Sequence, residues 1–382
     1  VVKKVAIVVT VIVVVLVLSV AIFISYRNLS IIKSSEESPG YVVVTDFVNR
    51  TVRIVKDIRR VVAIGPGALR LVAYLNALDM VVGVEEIEQS GSVVGRDYAM
   101  AYGDLLKNLP VVGPGGPRSA PDPEKIRSVK PDLVIMSRTY VDLYNPDRLS
   151  EEVGAPVIVV DYGVAGYLDI DFLKNALRML GLVLGKSGRA EELCRFIDSI
   201  VYDLRNRTAG ITVKPSVYIG AVSYKGKQPF TSSQISFPPL ILLNTKSIVD
   251  DVGGKQGFIS IDFEYLLSRQ PDVIFIDLNN LDVVLDDYNK DPSKYCALKA
   301  FKEGKLYSIL PFNYYHTNIA TAFADAYYIG KILYPDRFSD VDPIQKANEI
   351  YRVFLGRELY KDFVEGFGRG FGSLKDLFTC SR

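Results

Sequence analysis

A chain of 382 residues, 49% hydrophobic and 23% charged, is long enough for more than one domain and apolar enough for a substantial core. Its 45 lysines and arginines nearly cancel its 44 aspartates and glutamates, which excludes the basic surplus that a nucleic-acid partner requires. The single histidine, His316, excludes chemistry built on two imidazoles, and three dispersed cysteines without a CxxC pair exclude a cysteine-based zinc site.

Val5 to Ile24 is an almost unbroken apolar run, softened only by Thr10 and Ser19. At helical rise it spans about 30 Å, the thickness of a bilayer core. Lys3 and Lys4 precede it, so the positive-inside rule puts the N-terminus in the cytoplasm and the remainder outside. Residues 1–26 are expected to be a transmembrane anchor, with a cleaved signal segment as the rival; no cysteine follows for a bacterial-type lipid anchor. Residues 27–40, ending in the turn-rich stretch Ser34 to Gly40, read as a tether. Glycosylation-acceptor patterns begin at Asn28, Asn49 and Asn206 and are compatible with an exterior location. Outside the cell one disulfide can form among Cys194, Cys296 and Cys380, leaving at least one thiol free.

Tyr41 to Val55 is rich in β-branched residues around Asn49-Arg50 and predicts a hairpin. From Val61 onward short β-branched runs alternate with helical patterns. The runs are Val61–Ile64, Val81–Val84, Leu133–Met136 and Val157–Val160, and, in the second half, Val217–Gly220, Ser247–Asp250, Val273–Asp277 and Leu306–Ile309. Between the halves, Leu168–Leu184 and Ser187–Leu204 predict long helices, the second with Ser187 as its N-cap. Strands separated by helices imply parallel sheets covered on both faces. An internal echo supports two related lobes. Glu124 stands seven residues before Pro131-Asp132, Glu264 stands seven before Pro271-Asp272, and a buried-type strand follows each at once. Ligands of such open sheets sit beyond the carboxyl ends of the strands, so two facing lobes would form a cleft.

The runs Arg60 to Pro66, Val82-Gly-Val, Leu109 to Gly113, Pro123 to Ile135 and Ala155 to Asp161 resemble the first lobe of the iron-siderophore and cobalamin type of periplasmic binding protein. Gly185 to Leu193 is similar to the start of that family's long inter-lobe helix, and Asp262 to Ile274 and Lys302 to Ser308 resemble its second lobe. The resemblance covers about Tyr41 to Pro335 and implies an α/β fold of two Rossmann-like lobes with mainly parallel sheets, joined by a long helix. With the anchor ahead of it, the expected organisation is a first lobe over 41–165, inter-lobe helices over 166–209 and a second lobe over 210–382. The implied function is that of an extracellular receptor, a monomer, which captures a ferric siderophore-like chelate, haem or cobalamin for an ABC permease and its ATPase. No cofactor of its own is implied. A helical connection between lobes also implies a hinge that bends only a few degrees. The resemblance places the two permease-docking glutamates at Glu124 and Glu264. It also marks one departure: Arg70 stands in the first helix where that family usually has a glutamate.

Positions just after strands supply the candidate ligand groups. Arg118 and Arg138 can fork onto carboxylates of a chelate, with Tyr140 and Tyr162 beside them. The second half offers Tyr224, Asn279 and the dense run Pro311 to Asn318, whose Tyr314, Tyr315, His316 and asparagines are suited to stacking and hydrogen bonding or to ligating iron directly. The glycines of Gly65-Pro66-Gly67 and Gly113 to Gly116 can present N–H groups to an anion. No Gly-x-Ser-x-Gly elbow, no GxGxxG fingerprint and no second histidine supports an enzyme, and no catalytic or metal-ligating set is expected. An extracellular enzyme or a structural surface protein on the same scaffold is the alternative.

Overall fold

The computed structural model describes residues 40–90 and 93–380. The expected anchor and almost all of the tether, with the acceptor site at Asn28, therefore lie outside the described residues. Among the described residues no helix is long and apolar enough to cross a membrane. Two compact units are present, one ending at Asp57 and one running from Ile58 onward.

The described part of the first unit is the hairpin that the β-branched run predicts. Strands β1 (Tyr41–Thr45) and β2 (Thr51–Val55) pair antiparallel, with Tyr41 opposite Val55. The Asp46 carboxylate accepts the backbone N–H groups of Val48 and Arg50, and Asn49 takes a left-handed φ of 60° in the turn.

The second unit holds two four-stranded sheets. In the first, β3 (Val61–Ile64), β4 (Val81–Gly83), β5 (Leu133–Ser137) and β6 (Val157–Val160) run parallel in the order β4-β3-β5-β6. These are continuous apolar runs rather than alternating ones because both faces are covered. Val62, Ile64, Val134, Met136 and Val157 meet Ile126, Leu149 and Val153 in one buried cluster. The second sheet contains β7 (Val217–Gly220), β10 (Val273–Asp277) and β11 (Leu306–Ile309) in parallel, with the short antiparallel β12 (Gly372–Ser373) at its edge. A separate antiparallel ribbon, β8 (Ser232–Ile235) with β9 (Gly257–Ser260), belongs to the same half. The core of this half is aromatic: Phe230 lies 5.2 to 6.1 Å, centroid to centroid, from Tyr218, Phe263, Tyr295 and Phe301. Offset and edge-on aromatic pairs of this kind each add about 1 kcal/mol beyond their burial.

Between the sheets run helices α1 (Ile170–Val183) and α2 (Ser187–Arg207), which pack against each other. Asp169 caps the first by accepting the Phe172 N–H. The second begins one residue earlier than a serine cap would require: Lys186 is its N-cap, and Ser187 is already helical and makes no capping bond. A second correction falls on Ser247–Asp250, where no strand forms. Ser247 and Asp250 bond reciprocally as a capping box and start a 3-10 turn over Ile248–Val252, leaving Ser247 only an isolated bridge to Val217.

The internal echo has a physical basis. In each half the residue before Pro-Asp, Lys130 or Gln270, closes a short helix in a left-handed conformation, with φ of 46° and 42°. The aspartate that follows then pins the start of the neighbouring strand. Asp132 accepts the N–H groups of Arg59 and Arg60 ahead of β3, and Asp272 accepts the N–H and hydroxyl of Ser216 ahead of β7. Lys299 and these Ser216 donors hold Asp272 down at about 2. Cys296 and Cys380 form a disulfide that ties the C-terminal segment to this half, and Cys194 is free and buried.

Candidate functional site

A cleft of about 1630 Å³ opens beside the carboxyl ends of both sheets, lined from the first half by residues after β3, β5 and β6 and from the second by residues after β7, β10 and β11. That is the position an open parallel sheet leaves for a ligand.

Its floor is a buried polar network joining the two halves. Arg70, fully buried, donates from Nε to Asp97 at 2.9 Å and from Nη1 to the Tyr162 hydroxyl at 2.9 Å. Its remaining donors cross to the second half, reaching the carbonyls of Tyr315 at 3.2 Å and Tyr314 at 3.0 Å and the side-chain oxygen of Asn318. Burial opposes the charge, but Tyr162 and Asp97 hold the guanidinium above its usual range. Asn318 completes the seam by donating to the carbonyl of Gly95 at 2.7 Å.

A second crossing is built on Glu85. Its carboxylate accepts the Gly65 N–H at 2.8 Å, the Tyr140 hydroxyl at 2.7 Å and, from the other half, the Tyr315 hydroxyl at 3.0 Å. Burial nevertheless outweighs these three donors and pushes Glu85 up to about 7. The Tyr315 oxygen also accepts the Gly116 N–H at 3.0 Å. The segment after β6 makes a third crossing: Gly166 donates to the Thr317 hydroxyl at 2.9 Å and accepts from Gln234 at 2.6 Å.

On the second-half wall, buried Asp277 accepts the N–H groups of Ser223 and Asn279, yet desolvation raises it to about 6. Asn279 donates to the Ser223 hydroxyl at 3.0 Å and lines the cleft. Tyr224 stacks on Phe258 at 4.4 Å with an interplanar angle of 16°. His316 lies tilted against Tyr162 at 4.1 Å; burial and then the nearby Arg70 charge push it down to about 3, so it is neutral at physiological pH. Its Nδ1 accepts the Thr317 N–H at 2.9 Å, and the ring also bonds with the Gly163 backbone.

Of the residues singled out from sequence, Arg138, Tyr162, Tyr224, Asn279, Tyr314, Tyr315 and His316 line this one cleft. Arg118 is exposed and outside the lining, and Tyr140 is buried beneath it, its hydroxyl spent on Glu85. The glycine N–H groups offered to an anion at Gly65 and Gly116 are likewise taken, by Glu85 and Tyr315. Arg138 stays half exposed, 3.5 Å from Asp142. Glu124 and Glu264 are both exposed, each the second residue of a short helix. Sequence reasoning missed Glu85 and Asp97, and flagged Arg70 only as a departure. Among the described residues, no three or more His, Cys, Asp or Glu side chains gather to hold a metal ion.

Paired α/β sheets with a lined cleft between their strand ends define a ligand-binding protein. The sequence model of the periplasmic binding protein family matches residues 61–311, and the chain belongs to that family. It is similar to the molybdate-binding protein MolA of Haemophilus influenzae, 23% identical over 341 residues that cover 84% of this chain and 92% of that one. It is also similar to the ferric-anguibactin-binding protein FatB of Vibrio anguillarum, 24% identical over 184 residues, 47% of this chain and 55% of that one. A periplasmic solute-binding protein of Veillonella parvula shares the fold with a TM-score of 0.66 at 19% identity, covering 85% of this chain and 96% of that one. The protein is thus a solute-binding component of ABC transporters, a family of receptors rather than enzymes, whose main domain lies outside the cytoplasm.

Proposed function

We propose that the protein captures a bulky metal chelate of the ferric-siderophore class and delivers it to an ABC permease. The observation that carries this reading is the cleft itself: about 1630 Å³, faced by Tyr162, Tyr167, Tyr224, Tyr314 and Phe172, with Arg138, Lys225 and Lys255 among the aromatic groups. This exceeds the usual range for small-ligand pockets and suits a ligand with planar aryl faces and peripheral anionic charge.

His316 has no lone pair left for a metal, and the Tyr315 phenol is fixed between Glu85 and Gly116. Iron would therefore keep all its ligands from the chelator, which disfavours haem held through an axial histidine and leaves a self-contained chelate or cobalamin. A molybdate-like oxyanion is the second reading, favoured by the relative that aligns over most of the chain. Against it, the floor N–H groups of Gly65, Gly116, Gly163 and Gly166 already serve protein oxygens.

In this reading Glu124 and Glu264, exposed on equivalent short helices, dock the two lobes onto the permease, the apolar N-terminal segment tethers the receptor, and the receptor works as a monomer. The test is titration with ferric tris-catecholate, a ferric hydroxamate, cobalamin, haemin and molybdate, followed by intrinsic tyrosine fluorescence, since the chain has no tryptophan. Micromolar or tighter binding of a ferric chelate is expected; binding of molybdate alone would refute the reading. Changing Glu124 and Glu264 together to alanine is expected to leave that binding intact and abolish uptake by the reconstituted importer.

A further inference from the structure

The loop from Phe312 to Asn318 brings Tyr314, Tyr315 and His316 to the cleft, and its own backbone is a poor anchor for them. Tyr315 and His316 take successive positive φ values, 51° and 78°, which non-glycine residues adopt only when their surroundings enforce it. Backbone-to-backbone bonds within the loop are few, Tyr314 N–H to the His316 carbonyl at 3.2 Å and Asn318 N–H to the Phe312 carbonyl at 2.7 Å. Side chains add Thr317 N–H to His316 Nδ1 and the Asn318 amide to the Phe312 carbonyl.

What enforces the conformation comes from the opposite half of the cleft. The Arg70 guanidinium, on the short helix after β3, reaches two consecutive loop carbonyls, those of Tyr314 and Tyr315, and the Asn318 side chain that ends the loop. Its other bonds, to Asp97 and the Tyr162 hydroxyl, fix the guanidinium plane in the first half. A lysine ammonium could not copy this, because it lacks a planar fork able to serve both halves at once.

We infer that Arg70 is a positioning residue, which holds the Tyr314–His316 loop in its binding shape and locks the two halves of the cleft together before any ligand arrives. The inference rests on the reading that this loop contacts the ligand. The side chain is completely buried, so it touches no ligand itself and acts only through the loop and Tyr162.

Hydrogen exchange by mass spectrometry on Arg70→Lys tests this without any ligand. The variant is expected to melt cooperatively and to exchange the amides of Tyr314, Thr317 and Asn318 at least tenfold faster, with β5 and β10 protected as in the wild type. Unchanged loop protection would overturn the inference. So would equal loss in the loop and both strands, which would make Arg70 a general stabiliser. If Arg70→Lys fails to fold, Asn318→Ser is judged by the same criteria on the Tyr314 amide alone, since it removes one Arg70 acceptor and spares the pair with Asp97 but also removes the Asn318 bonds to the Gly95 and Phe312 carbonyls. A second arm measures ferric tris-catecholate, expected to bind Arg70→Lys at least tenfold more weakly, whereas equal affinity would overturn the positioning role. If the probe fails to bind even the wild type, the ligand reading falls alone, and exchange still decides whether Arg70 holds the loop.

Discussion

Replacing Glu85 by glutamine should change how stability depends on pH, in a direction the structure fixes. In the unfolded chain this carboxyl titrates near 4.5; in the folded protein burial raises it to about 7 despite its three hydrogen-bond donors. Between those two values the folded state holds a proton that the unfolded state has released. Stability from this group is therefore fully present below 4.5 and is lost as pH rises through about 7. At 1.36 kcal/mol per pH unit, the gap amounts to about 3 kcal/mol. Glu85→Gln mimics the protonated form, so it should match the wild type near pH 4.5 and exceed it by about 3 kcal/mol near pH 7.5. Urea denaturation across that range measures the difference. The comparison must be between the two proteins, because Asp277, raised to about 6, adds to the slope, while His316, lowered to about 3, opposes it. Parallel curves at every pH would mean that the Glu85 carboxyl ionises as it does in the unfolded chain, and the reasoning would fail.

Reducing the Cys296–Cys380 disulfide, which spans 84 residues of sequence, should cost up to about 4.5 kcal/mol on the chain-entropy account; a urea midpoint unchanged by dithiothreitol would contradict it. Gly67→Ala should cost about 3 kcal/mol, since φ is +83° there and a methyl group would lie 2.2 Å from the Tyr162 hydroxyl; a loss below about 1 kcal/mol would show that the floor yields easily.

The sheets were legible because parallel strands must bury both faces, so Val61–Ile64, Leu133–Met136, Val157–Val160 and Val273–Asp277 stand out as apolar runs between helices. Ser247–Asp250 misled because Ile248 and Val249 carry a strand-like composition, while the deciding bonds belong to Ser247 and Asp250. The walls of the cleft were legible for a similar reason, since position after a strand is a sequence property. The floor was not. Arg70 and Tyr314 are 244 residues apart, Glu85 and Tyr315 are 230 apart, and nothing in the local spacing of either pair announces the bond.

That hidden floor changes what the visible residues can do. Read alone, Tyr315 and His316 look like iron ligands, yet one phenol oxygen and one imidazole are already held in the seam between the halves. Removing either from that role would leave buried partners unpaired, at a cost of about 1–3 kcal/mol for each. The groups that can meet a ligand without such a cost lie further out: Arg138, half exposed beside Asp142, the ring of Tyr314, and Lys225 near the Tyr224–Phe258 stack. On the proposed reading, a receptor arranged this way would recognise the outside of a preformed complex. Its selectivity should therefore follow the shape and peripheral charge of the chelator more than the identity of the enclosed metal, so that a gallium(III) complex of the same chelator is expected to bind within about threefold of the ferric one. A gallium complex that fails to compete in the tyrosine-quenching titration would show that the protein reaches the metal after all.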